Sequence, residues 1–279
     1  MSLRGYARSM ATLTVAAAQF APVDDAAANL RTVQAAAEDA ARRGADLLVT
    51  PEYTSYFTAA IDDRFVAAAE PLDGPFVSGL REIARQHAIA LVVGVAETAE
   101  TSGRFRNTLV AVLPDGSIAA TYRKVHLYDA FGSKESDRIE SGAADQLPVF
   151  ELGGLRVGLE TCYDLRFPEV TRRLAAPEVG AADVVVLPAE WVRGPGKEHH
   201  WRTLLTARAI ENTVWVVGVG QTGSIGIGDS VVIDPSGVAV AAAGASAGTV
   251  VATIDTATTE AVRAVNPSLA LRRFDVHPR

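Results

Sequence analysis

The sequence predicts an α/β fold built from two layered sheets with helices outside them. Three observations carry this. Short apolar strands alternate with helical stretches. Strands in the second half are joined partly by hairpins. The 279 residues are 48% hydrophobic and 21% charged, the composition of a chain that buries a large core. That length fits one large domain, so we expect an irregular extension over residues 1–10 and a single domain over 11–279, with Met10 an alternative start to Met1.

Residues 12–20 read as the first strand. Asp24 or Asp25 caps a helix that reaches Arg43, and Gly44 stops it. Residues 46–50 form a short apolar strand ended by Pro51, and Pro75–His87 is helical with Pro in its first turn. Residues 90–97 and 107–113 read as strands with a polar loop between them. Pro114-Asp115-Gly116 is a turn, because Pro fixes φ and Gly permits positive φ, and a strand over 117–123 follows it. Residues 149–152 and 155–161 make a hairpin about Gly153-Gly154. Residues 183–187 are a buried strand ended by Pro188, and Lys197–Asn212 is a helix. Strands over 214–220, 230–233, 238–243 and 249–254 come next, with Asp234-Pro235-Ser236-Gly237 as a turn, before a last helix from Thr256 to Val265.

Composition narrows the function. A net charge of −7 argues against a nucleic-acid partner. No apolar run approaches the roughly 18–20 residues that span a bilayer, so no membrane partner is expected. Arg4 and Arg8 before the apolar stretch 13–21 loosely imitate a signal peptide, but Gln19 interrupts that stretch and it reads equally well as a strand. The one cysteine, Cys162, excludes intrachain disulfides and Cys-rich zinc sites. Together these point to the cytoplasm. His199 and His200 are helix neighbours that do not share a face, and no HExxH string exists, so no metal is expected. Gly218–Gly223 matches the dinucleotide G-x-G-x-x-G string but lacks the helix that must follow it, so no cofactor is expected.

Three polar residues follow apolar strands: Glu52, Lys124 and Cys162. The carboxyl ends of strands line the usual ligand crevice of α/β folds. A carboxylate can take a thiol proton, the thiolate can attack a carbonyl or nitrile carbon, and an ammonium can stabilise the resulting oxyanion. The 26 basic residues include only three lysines, Lys124, Lys134 and Lys197. A compact ammonium suits the oxyanion better than a guanidinium fork. Phe167-Pro168-Glu169 reads as a helix opening, whose N-terminus would lower the thiol pKa. Each of the three also fits a bland role taken alone, as a small buried thiol, a solvated loop carboxylate and a surface cation.

Thr50-Pro51-Glu52, the run from Tyr122 to Leu127 and the run from Glu160 to Glu169 resemble, in order, the three signature blocks of the nitrilase superfamily, the carbon–nitrogen hydrolases. The resemblance spans nearly the whole chain. It implies a four-layer α-β-β-α sandwich assembled as a homodimer or higher homo-oligomer. It also implies Glu52 as base, Lys124 as transition-state stabiliser and Cys162 as nucleophile. A second glutamate, here Glu135, is implied to position the substrate or hold Lys124, and the backbone N–H of Tyr163 to join Lys124 in the oxyanion hole. The runs 127–136, 162–169 and 188–201 are further similar to the deaminated-glutathione amidase and ω-amidase branch. That implies hydrolysis of a small carboxylate-bearing ω-amide, releasing ammonia through a Cys thioester. A nitrilase or an N-carbamoyl amino acid amidohydrolase is the alternative. Glu190 and Trp191 are expected to line the pocket, and Arg166 and Arg193 are candidates to meet a substrate carboxylate.

Overall fold

The computed structural model describes residues 10–279. The expected extension lies, but for Met10, outside the described residues. Two six-stranded sheets form the centre. In chain order the first half supplies β1 (Thr12–Gln19), α1 (Ala26–Arg42), β2 (Leu47–Val49), α2 (Asp63–Ala68), α3 (Pro75–His87), β3 (Ala90–Thr98), β4 (Phe105–Val112) and β5 (Ile118–Arg123). The second half supplies β6 (Val149–Leu152), β7 (Leu155–Leu159), α4 (Pro168–Leu174), β8 (Val184–Ala189), α5 (Lys197–Asn212), β9 (Trp215–Gly220), β10 (Val231–Ile233), β11 (Ala239–Ala242), β12 (Gly248–Asp255) and α6 (Thr256–Val265). The sheet orders are β12-β1-β2-β3-β4-β5 and β11-β10-β9-β8-β7-β6. In each sheet three central strands are parallel, β1-β2-β3 and β7-β8-β9, and antiparallel strands flank them.

Strand alternation sorts the core into layers. Ala16, Ala18, Leu48, Leu91 and Val93 pack outward against Val33 and Ala37 of α1 and Leu80 of α3. The intervening residues Val15, Ala17, Leu47, Val49 and Val92 face the other way and join Val157, Leu159 and Val184 of the second sheet. Leu174 of α4 and Trp201, Leu205 and Ala209 of α5 cover that sheet's far side. The period-2 pattern thus produces helix, sheet, sheet, helix, the expected α-β-β-α sandwich.

Local punctuation sets most boundaries. Asp25 caps α1 by accepting the Ala28 N–H at 3.0 Å, and Pro75 occupies the first turn of α3. Pro188 does not end its strand: β8 runs on to Ala189, with Pro188 in register with Val219. The strand on its other side, β7, pairs with β8 only as far as Leu159 and Val186. The missing N–H therefore lies along an unpaired stretch and costs no ladder bond. The short helix α2, within the loop after Glu52, was not anticipated; six residues are too few for a helical period to register.

Candidate active site

The first sheet delivers Glu52 just past β2 and Lys124 just past β5. The second delivers Cys162 just past β7 and Glu190 just past β8. The sheets face each other, so these four strand ends meet between them.

Lys124 is buried, 1% exposed. Its Nζ lies 3.0 Å from Glu52 Oε1 and 2.9 Å from Glu135 Oε2. Burial acts to lower its pKa, but the charges of Glu135 and Glu52 overcome this and hold the ammonium well above the ordinary lysine range. Glu135 sits on a short 3-10 turn, Glu135–Asp137, in the loop after Lys124. The Tyr53 hydroxyl donates to its Oε1 at 2.9 Å, and the Tyr128 N–H to its Oε2 at 2.7 Å. Glu52 is equally well held. Asn107 Nδ2 donates to Oε1 at 2.6 Å, and the Glu190 N–H donates to Oε2 at 2.6 Å. Gln221, within the glycine-rich loop after β9, donates to the Glu52 carbonyl at 2.7 Å.

Cys162 occupies a sharp turn with φ at +45°, a left-handed conformation uncommon for a side-chain-bearing residue. Asp164 pins the turn. It is fully buried and accepts the Tyr122 hydroxyl at 2.8 Å, the Thr161 N–H at 3.2 Å and the His126 N–H at 2.9 Å. Tyr122 and His126 flank Lys124, so one carboxylate ties the lysine's segment to the thiol's. Burial pushes the thiol pKa well above its ordinary value; Glu52 adds to this, and Lys124 opposes it without prevailing. The expected lowering by a helix N-terminus is therefore overturned. The helix opens only at Pro168, six residues on, and burial among carboxylates dominates.

Cys162, Glu52, Glu135, Tyr163, Glu190 and Trp191 line one small cavity, with Tyr128, Arg166, Val192 and Lys197 completing the wall. All eight expected site residues thus come together. Tyr163 packs edge-on to Tyr128, ring centroids 5.0 Å apart. Trp191 is 2% exposed, and its Nε1 donates to the Lys197 carbonyl at 2.9 Å. Glu190 Oε1 is buried without a partner in the protein. Burial and the neighbouring Glu52 push its carboxyl pKa well up. Arg193 lies apart, on the wider cleft into which the cavity opens. Asn107, Tyr53 and Gln221 were not singled out from sequence, and Lys197 was noted only as one of three lysines. The first three reach the site through contacts 55, 82 and 169 residues distant along the chain. Only Lys197 carried a signal, as a rare lysine opening a helix. Among the described residues no group of three His, Cys, Asp or Glu side chains is placed to hold a metal ion, and no helix is long and apolar enough to cross a membrane.

Comparison with known proteins gives the same picture. The carbon–nitrogen hydrolase family model matches residues 14–264. A deaminated glutathione amidase of Escherichia coli O157:H7 is 40% identical over 262 residues, covering 94% of this chain and 98% of that protein. A carbon–nitrogen hydrolase superfamily protein of Xanthomonas campestris, solved with an arsenic adduct in its active site, superposes with a TM-score of 0.84 at 29% identity, over 95% of this chain and 99% of its own. A mutant amidase of Nesterenkonia sp. AN1, with the acetamide moiety of fluoroacetamide covalently added at its active-site cysteine, superposes with a TM-score of 0.76 at 28% identity, over 94% of each chain. The chain belongs to the carbon–nitrogen hydrolase family.

Proposed function

We propose that this chain is a thiol amidase in which Glu52 is the general base, Lys124 the oxyanion stabiliser and Cys162 the nucleophile. The observation that carries the reading is the Lys124 ammonium, fixed between Glu52 and Glu135, the two carboxylates that line the cavity holding the Cys162 thiol. Covalent capture at the cysteine of the Nesterenkonia amidase supports it.

The resting thiol is neutral, because burial and the Glu52 charge disfavour the thiolate. Deprotonation is coupled to attack. As Cys162 Sγ bonds to the amide carbon, Glu52 takes its proton. The developing oxyanion is met by the Lys124 ammonium and the Tyr163 N–H. Collapse breaks the C–N bond, and Glu52 returns the proton to the departing amine. Water then attacks the thioester with Glu52 again as base, releasing a carboxylic acid and restoring the thiol. Glu135 holds Lys124 in place throughout.

The names of the relatives support a carboxylate-bearing ω-amide such as deaminated glutathione as substrate. Ammonia leaves only from a primary amide. Deaminated glutathione, whose acyl group is joined to the amine of cysteinylglycine, yields that dipeptide instead. We also read residues 11–279 as a single cytoplasmic domain forming a homodimer or higher homo-oligomer. The family match over 14–264 and the free thiol support this.

The test is an amine-release assay on Cys162→Ala and Cys162→Ser, with intact-mass capture of an acyl adduct on the wild type. Undiminished turnover in either variant sinks the assignment. Turnover of a nitrile, or carbon dioxide from a carbamoyl amino acid, in place of amide hydrolysis would move it to the nitrilase or carbamoylase reading.

A further inference from the structure

Three carboxyl groups line the cavity beside the Cys162 thiol, those of Glu52, Glu135 and Glu190. A carboxylate offers about four acceptor sites, two on each oxygen. On Glu135 all are taken. Its Oε1 meets the Tyr53 hydroxyl at 2.9 Å and Lys124 Nζ at 3.1 Å, and its Oε2 meets the Tyr128 N–H at 2.7 Å and Lys124 Nζ at 2.9 Å. On Glu52 three are taken: Asn107 Nδ2 and Lys124 Nζ reach Oε1, and the Glu190 N–H reaches Oε2. The one site left on Oε2 is what the proposed base needs for the thiol proton. Neither group has a lone pair to spare for the substrate nitrogen.

Glu190 is the reverse case. Its Oε1 is buried with no partner, and among the described residues its carboxyl makes no ion pair. Of the buried side-chain oxygens that lack a partner among the described residues, it is the one on a residue lining this cavity. A buried acceptor left unpaired is costly, and an apolar residue here would avoid the cost. The backbone of the same residue is fully used. Its N–H holds Glu52 Oε2 at 2.6 Å, and its carbonyl accepts the thiol at 3.5 Å. The side chain therefore springs from a point bonded to both base and nucleophile. Glu190 lines the wider outer cleft as well as the inner cavity, whereas Cys162 lines only the inner one. It stands where a substrate passes from its acyl half, held at the thiol, to its amine half, which must leave outward.

We propose that Glu190 accepts the N–H of the scissile amide, and so selects primary and secondary amides over derivatives of the same acid that carry no N–H, such as esters. The proposal rests on the amidase reading in placing the reacting carbon at Cys162. A carboxyl group keeps a free acceptor oxygen whether or not it is protonated, so the contact forms in either state. It fixes the plane of the amide from the nitrogen side, while Lys124 and the Tyr163 N–H hold the carbonyl oxygen. Glu190 is a specificity-determining residue in this scheme and takes no proton.

The experiment compares glutaramate with monomethyl glutarate, an amide and an ester that give the same acyl-enzyme. The readout is the amide-to-ester ratio of kcat/KM. Glu190→Leu should lower that ratio by about tenfold or more, the effect of one charge-assisted hydrogen bond, and Glu190→Gln, which keeps an acceptor, should recover most of it. A side chain that served only to seat the backbone on Glu52 and Cys162 would slow both substrates alike and leave the ratio unmoved. Calorimetry on Cys162→Ala provides a readout independent of turnover. Glutaramate binding should weaken about tenfold or more when Glu190→Leu is added, with a smaller change for the ester. An unmoved ratio, no recovery in Glu190→Gln, or unchanged glutaramate binding in the double variant overturns the assignment of Glu190 while leaving an amidase. Glutaramate binding that depends on Glu190 with no amide hydrolysed supports the assignment and sinks the amidase reading.

Discussion

Glu52 Oε2 accepts the backbone N–H of Glu190 at 2.6 Å, a bond that crosses from one sheet to the other. The same Glu190 receives the Cys162 thiol at its carbonyl, 3.5 Å away. One peptide segment thus sets the spacing between the proposed base and nucleophile. Replacing Glu52 by Gln keeps the shape but removes the proton acceptor, and puts an NH2 where one of three donors now points. We expect kcat/KM to fall by about 10²–10⁴, the usual worth of a positioned general base. Steady-state amine release measures this, and circular dichroism checks that the fold survives. A loss under tenfold would remove Glu52 from the role.

Lys124→Met should cost stability as well as activity. It leaves the Glu52 and Glu135 carboxylates buried beside an apolar chain, and breaking such a charge cluster costs about 3–5 kcal/mol. The pH dependence has a definite sign. The folded-state pKa of Lys124 is raised, so its contribution is fully present below the ordinary lysine value of 10.5 and is lost only as pH rises beyond that. Thermal unfolding should show a gap between wild type and variant that is flat from neutral pH to about pH 10 and narrows above it. A gap that closes already near neutrality would contradict the assignment.

Legibility in the sequence followed distance along the chain. Asp25, Pro75 and Gly44 mark helix ends because capping, ring constraint and positive φ act within a turn. Glu52, Lys124 and Cys162 were readable as polar residues at the ends of apolar strands, since a strand end in a layered fold points to the crevice. What aims them was not readable. Asn107 and Gln221 on Glu52, and Tyr53 on Glu135, are ordinary polar residues until the sheets bring them together. The thiol's electrostatics were misread for the same reason. The nearby helix opening is a local signal, whereas burial among Glu52, Glu135 and Glu190 is a property of the assembled core. Pro188 shows the converse, a strong local breaker that the sheet tolerates because β7 has already ended there.

Gly94, in the middle of β3, stands directly behind the base. A Cβ there would meet Tyr53 N at 2.7 Å, Glu52 Cα at 2.8 Å and the Pro51 carbonyl oxygen at 2.8 Å, all of them backbone atoms with no rotamer to yield. Gly94→Ala must therefore push the Glu52 turn away from Lys124. We expect it to lower kcat with little effect on KM for a neutral amide, and to destabilise by about 1–3 kcal/mol, the cost of overpacking a core. Kinetics with chemical denaturation tests both halves. A fully active Gly94→Ala would show that the turn is not held from behind.

Glu160, two residues before the thiol, supplies a prediction about stability. It is fully buried, and both carboxyl oxygens accept from the Thr171 hydroxyl, at 3.0 and 2.8 Å. Burial pushes its pKa up to about 8 from an ordinary 4.5. The folded protein therefore holds a proton that the unfolded chain releases, and stability falls as pH climbs from about 4.5 to about 8. Above that range the protein carries the full penalty of a buried carboxylate, on the order of a few kcal/mol. Glu160→Gln removes the titration and keeps an acceptor for Thr171. Its melting temperature relative to wild type should rise steadily between pH 5 and about 8 and level off beyond, a window set by the two pKa values. Wild-type and variant melting curves that stay parallel across this range would show that Glu160 is already ionised in the folded protein, with the Arg208 charge outweighing burial.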